Sequence, residues 1–146
     1  MSQKLYRPTL IKVNLQAIQN NIKRLMEILP EHTAVIAVVK ANGYGHGDIE
    51  VAQAALKAGA NLLAVATPEE ALHLRGAGIE AEILLIGTSP LSFLEEASKQ
   101  NITLTAYSYE WLLATKDLQV PLKLHIKIDS GMGRIGFTEV KELQQA

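Results

Sequence analysis

Residues 33–39, TAVIAVV, run straight into Lys40 and decide the fold. After the opening threonine no polar residue interrupts the run, as a strand buried on both faces requires. Similar apolar runs recur at 62–66, at 83–86 and, more weakly, at 102–106. Residues 122–128 alternate more, begin after Pro121 and end at Asp129. Between these runs lie segments with helix starts. Asp48 opens DIEVAQAALKAG, whose apolar stripe includes Ala52, Ala55 and Leu56, and Gly59 suits its C-terminal end. Thr67-Pro68-Glu69-Glu70 combines a cap, a proline at the first helical position and a capping-box glutamate. Ser89-Pro90 repeats the cap-plus-proline arrangement, Ser108 begins SYEWLLATKD, and a last helix starts near Thr138. Strands alternating with helices indicate a parallel sheet, because parallel neighbours need a crossover connection.

Upstream, residues 8–14 read as a short lead-in strand, with β-branched residues through Val13. Asn14 offers a capping oxygen for a helix over 15–29, whose apolar residues Leu15, Ile18, Ile22, Leu25, Met26 and Leu29 recur at helical spacing before Pro30. Five strand–helix units then follow from residue 33, with no long linker and no low-complexity segment. Their close, even spacing favours a (β/α) barrel over a doubly wound sheet. A complete barrel has eight strands and typically about 250 residues. The expectation is therefore an α/β fold: a partial (β/α)8 TIM barrel, about five of eight units, with residues 1–146 forming the N-terminal part of one barrel domain.

Composition excludes several alternatives. Net charge is −1 with no basic run, so nothing suggests a nucleic-acid or anionic-membrane surface. The absence of cysteine rules out disulfides and thiolate metal sites, and no metal site is expected. The opening MSQKLYRPTL lacks the apolar stretch of a signal peptide, and the apolar runs are strand-sized, too short to span a bilayer. The expected location is the cytoplasm.

Chemistry concentrates in two places. The first is Lys40, closing an apolar strand, where burying a bare ammonium is costly. Either the side chain escapes to solvent beyond the strand end, or its amine is neutralised covalently, as in a Schiff base. The strand's carboxyl end is where barrel enzymes place catalytic groups. Behind Lys40, Gly43, Gly45 and Gly47 permit sharp turning and close approach to a ligand, while Tyr44 and His46 add polar groups. A glycine-rich turn alone is a weak signal, but the whole string VVKANGYGHG resembles the pyridoxal-phosphate attachment motif of the fold-type III alanine racemases.

The second place is KIDSGMGRIGF at 127–137, where glycines flank Arg134 at the end of the fifth strand. Arginine's planar fork of donors suits a carboxylate or phenolate oxygen. This segment also resembles an alanine racemase segment, at the expected distance from the first. The opening RPTLIKVNLQAIQNNI is a third, looser likeness, so the resemblance covers essentially the whole chain.

The resemblance implies the following. The parent protein is an alanine racemase that interconverts L- and D-alanine for cell-wall peptidoglycan and works as a homodimer. Lys40 carries pyridoxal 5'-phosphate and, once released, acts as base on one face of the substrate α-carbon. The opposite base is a tyrosine of the other subunit, from a region this chain does not contain. Tyr44 matches a tyrosine near the cofactor phosphate, and Arg134 matches the arginine contacting the cofactor ring oxygen and the substrate carboxylate side. Lys127 matches a lysine that some members carry as a carbamate. The departure is length: the later barrel strands and a C-terminal β domain are missing, so the isolated chain is expected to be inactive. Other readings are a related barrel enzyme (a broad-specificity racemase, a decarboxylase or an aldolase) or a non-catalytic fragment.

Overall fold

A computed structural model describes residues 9–145. Its centre is one parallel sheet of five strands in the order β1-β2-β3-β4-β5: β1 (Ile36–Val38), β2 (Leu62–Val65), β3 (Ile83–Leu85), β4 (Ile102–Ala106) and β5 (Leu124–Ile126). Every strand pairs with its sequence neighbour, through Val38↔Ala64, Ala64↔Leu84, Leu84↔Thr103 and Thr105↔His125 among others. A doubly wound sheet reverses its strand order at a switch point; this one never does, and it shares the sequential order of a barrel wall.

The helices are α1 (Leu15–Ile28), α2 (Lys40–Gly45), α3 (Asp48–Lys57), α4 (Pro68–Gly76), α5 (Leu94–Lys99, preceded by a 3₁₀ turn at Leu91–Phe93), α6 (Tyr109–Thr115) and α7 (Val140–Gln145). Local chemistry starts most of them where the sequence indicates. Asn14 accepts from the Ala17 N–H to cap α1, Thr67 and Glu70 form a reciprocal capping box on α4, and Ser108 accepts from the Trp111 N–H at α6. Their apolar sides pack on alternate strand residues. Leu63, Val65, Ile83, Leu85, Leu104 and Ala106 are essentially fully buried against Ala52, Leu74, Leu94 and Trp111.

Four details depart from expectation. Residues 9–14 form no strand; Leu10 and Ile11 are exposed and find no ladder partner among the described residues, and Pro8 lies outside those residues. A β-branched run becomes a strand only when another strand takes its hydrogen bonds. Second, β1 is not buried on both faces. Ile36 and Val38 point to the side away from the helices and stay about 40% exposed (39% and 40%), because no described residue covers that side. Third, Ser89 does not cap a helix. Its side chain is buried without a hydrogen-bond partner, while its carbonyl accepts from Trp111 Nε1 at 2.9 Å. Pro90 instead starts the 3₁₀ turn. Fourth, α7 starts at Val140 rather than near Thr138, since Phe137 is first drawn back to the sheet by an isolated bridge with Ile128.

Candidate active site

All five strands point their carboxyl ends the same way, so the residues that follow each strand gather at one rim. After β1, Val39 donates to the Ala64 carbonyl at 2.9 Å and is buried, which holds Lys40 at the strand end with its side chain half-buried. The chain then does something composition does not announce. Ala41, Asn42, Gly43 and Tyr44 all take left-handed helical angles, with φ between 52° and 58°. For residues with a Cβ this costs about 1–2 kcal/mol each, so neighbouring interactions must enforce it. Gly43 donates to the Val39 carbonyl at 2.9 Å and Gly47 to the Asn42 carbonyl at 2.9 Å. The Asn42 side chain accepts from the Asp48 N–H at 3.2 Å, tying the turn to the start of α3.

After β5, a different device presents Arg134. Phe137, 2% exposed, returns to the sheet. Its N–H donates to the Lys127 carbonyl at 2.8 Å, and its carbonyl accepts from Asp129 at 2.9 Å. Gly136 makes this closure possible: its φ is +119°, and a Cβ there would sit 2.8 Å from the Lys127 oxygen. Inside the loop, Asp129 accepts from the Gly131 N–H at 3.0 Å. That bond, with further loop N–H groups, holds the Asp129 carboxyl below its ordinary range.

These two constructions meet. Lys40 and Arg134 line the same cavity of about 240 Å3, with Ala66, Ile86, Gly87, Thr88 and Ile135. A second cavity of about 370 Å3 shares Ile86, Arg134 and Ile135 and is also lined by Leu84, Thr105, His125, Ile126, Lys127 and Met132. Of the expected site residues, Arg134 thus shares one cavity with Lys40 and the other with Lys127. Tyr44 does not: it is 60% exposed on the left-handed turn and lines neither cavity. The unmodified Lys127 ammonium donates to the Ile128 carbonyl at 3.2 Å.

Ile86, Gly87, Thr88 and Thr105 belong to no motif, and His125, on one face of its strand, has no role legible in the sequence. Their signal was position: Ile86, Gly87 and Thr88 follow β3, while Thr105 and His125 lie within the last two residues of β4 and β5. Gly87 is small for a reason, since a Cβ there would collide with the Ala66 carbonyl oxygen. Among the described residues no acidic side chain lines either cavity, while Lys40, Lys127 and Arg134 do. Water's share of liquid volume is about 30 Å3, so each space holds far more than one solvent molecule. An amine beside a roomy cationic recess is the donor set that an aldehyde bearing anionic groups requires.

Comparison with known proteins decides the family. A family model described as "Alanine racemase, N-terminal domain" matches residues 13–146. The chain belongs to the alanine racemase family. It is 46% identical to an alanine racemase of Streptococcus suis over 149 aligned residues, which cover 100% of this chain and 40% of the relative. A solved alanine racemase structure from Bacillus anthracis superposes with a TM-score of 0.90 at 44% identity, covering 98% of this chain and 38% of that one. A histidine racemase from Leuconostoc mesenteroides superposes at 0.80 with 32% identity, covering 88% and 36%. The chain therefore spans well under half the length of these family members. Their architecture agrees with the five parallel strands seen here as the first part of a TIM barrel.

Proposed function

We propose that the protein acts as an alanine racemase, interconverting L- and D-alanine with pyridoxal 5'-phosphate held on Lys40. The observation that carries this reading is the shared cavity: Lys40 and Arg134 line one recess at the carboxyl rim of the sheet. Bound there, pyridoxal phosphate would supply the electron sink that makes an amino acid's α-proton removable. Lys40 would hold the cofactor covalently through its ε-amine. When free, the same amine would be the base that takes or returns the substrate α-proton on one face. Arg134 would offer its fork of donors to an anionic oxygen of the cofactor and to the substrate carboxylate. Tyr44, exposed on the turn directly after Lys40 and outside both cavities, is assigned to the cofactor phosphate on the family likeness alone. Lys127 beside Arg134 is the candidate for carbamylation: its neutral amine adds to carbon dioxide and releases a proton, replacing a cation by an anion able to hold Arg134.

Racemisation needs a second base on the opposite face, which we assign to a tyrosine from the partner subunit of a homodimer. D-Alanine for peptidoglycan, made in the cytoplasm, is the corresponding biological role. The residues here constitute one side of that chemistry.

Borohydride reduction in the presence of pyridoxal phosphate, followed by peptide mapping, tests the reading. The expected result is a pyridoxyl group on Lys40, together with D-alanine formation from L-alanine by the full-length protein. Folded protein that remains unlabelled at Lys40 would remove the basis for the assignment. A second reading, a racemase of another amino acid, is favoured by the likeness to a histidine racemase at 32% identity. A panel of L-amino acids separates the two: preference for alanine supports the first and preference for a larger side chain the second.

A further inference from the structure

Glu70 belongs to α4, one strand–helix unit away from Lys40, yet it touches the backbone on both sides of the gap. Its Oε1 accepts from the Ala41 N–H at 2.7 Å, and its Oε2 accepts from the Ala66 N–H at 2.7 Å and the Thr67 N–H at 3.3 Å. A capping-box glutamate needs only the last of these bonds. The Ala66 bond fixes the end of β2, and the Ala41 bond reaches across to the residue that follows Lys40. Ala41 is the first left-handed residue of the turn, with a φ of 52°, a conformation that costs an alanine free energy.

We infer that Glu70 is a positioning residue for Lys40: its carboxylate clamps the first peptide of the strained turn to the end of β2 and so sets where the Lys40 side chain leaves β1. The two oxygens divide the work, one for each loop, and a carboxylate is the one side-chain group of this length that accepts on both. Its surroundings keep it ionised. Burial alone would raise the carboxyl's pKa, but the N–H groups of Ala41, Ala66 and Thr67, with the nearby Lys40 charge, together hold it below its ordinary value. The α4 N-terminus adds favourable positive potential. The inference deepens the reading of Lys40 given above and rests on it for its consequence, but not for its geometry.

The test compares wild-type full-length protein with Glu70→Ala, Glu70→Gln and Thr67→Ala. The first readout is hydrogen exchange of the Ala41 amide, which needs no cofactor. Exchange should speed up by about 10-fold or more in Glu70→Ala, the size of one hydrogen bond to a charged group. Thr67→Ala removes the other half of the capping box, so it should lower thermal stability while leaving Ala41 exchange near wild type. Glu70→Gln retains one acceptor oxygen, so it should fall between. The second readout is the rate of borohydride-trapped pyridoxyl labelling at Lys40, which should fall in the same order. Equal Ala41 exchange in wild type and Glu70→Ala, or equal acceleration in Thr67→Ala, would overturn the inference. So would altered exchange with unaltered labelling. Wild-type protein unlabelled at Lys40 would sink the functional reading instead, with the exchange result still standing.

Discussion

The turn at residues 40–47 and the loop at residues 129–136 end on the same cavity but are held in opposite ways. The first is strained and secured from outside: three residues with side chains, Ala41, Asn42 and Tyr44, sit at positive φ, and Glu70 of a neighbouring unit binds its first peptide. The second is secured from within, by its own Asp129 carboxylate and by Phe137 returning to Lys127 and Asp129. On the function proposed above, Lys40 forms a covalent bond at one place and so gains from a frame fixed at long range, because tertiary packing over-determines it. Arg134, in its proposed role of steering an anion, tolerates a locally closed loop, since its fork and its length adjust.

The largest expected effect is that of Lys40→Ala, which should abolish cofactor labelling and racemisation altogether while leaving the fold intact, as seen by circular dichroism and by steady-state assay. Phe137→Ala should come next, destabilising by about 3–5 kcal/mol as a large buried aromatic is lost. It should release the Arg134 loop before the Lys40 turn, and urea unfolding with exchange mapping of the Gly131 and Ala41 amides would show the order. Arg75→Ala sharpens the contrast from a distance. Its guanidinium donates to the carbonyls of Ile79, Ala81, Gln100 and Asn101, which join the entries to β3 and β4. Losing these bonds should cost about 2–3 kcal/mol, seen as a lower melting temperature, with pyridoxyl labelling of Lys40 unchanged below the transition.

Gly136→Ala should cost about 1–3 kcal/mol in strain, since an alanine must adopt a glycine backbone against the Lys127 carbonyl. Its signature is weaker substrate affinity, read as a raised KM, with Ala41 exchange unchanged. Acidification gives the smallest effect. Asp129 and Glu70 both have folded-state pKa values below their ordinary ones, so each contributes stability above its unfolded value, near 3.8 and 4.5. That contribution is lost as pH falls through the lower folded value. Amide chemical shifts of Gly131 and Ala41 should therefore titrate with midpoints below ordinary carboxylate values, and Asp129→Asn should remove only the first titration.

Much of the architecture was legible because it is written locally. The apolar run at 33–39, the Thr67–Glu70 capping box and the Asn14 and Ser108 caps act within a turn or a strand, and each produced its element near the expected place. The misses share one cause. The lead-in strand at 8–14, the second buried face of β1 and the Ser89 cap each depended on a partner elsewhere, and propensity does not supply partners. In the site, the motifs flagged Lys40, Arg134 and Lys127, while Gly87, Thr105 and His125 became visible only once strand register put them at the same rim.

The amino-acid sequence by itself determined the alternation of strands and helices, the family, and the placing of an amine and a guanidinium after the first and fifth strands. Those follow from periodicity, capping and short motifs, all of which act over a few residues. Only the tertiary structure decided that Lys40 and Arg134 open onto one cavity, that the turn after Lys40 is left-handed, and that Glu70 binds it from another unit. The first and the last are contacts between segments distant in the chain, and the last holds the first peptide of the turn. Closing such a contact requires the whole sheet to form, so no single segment encodes it.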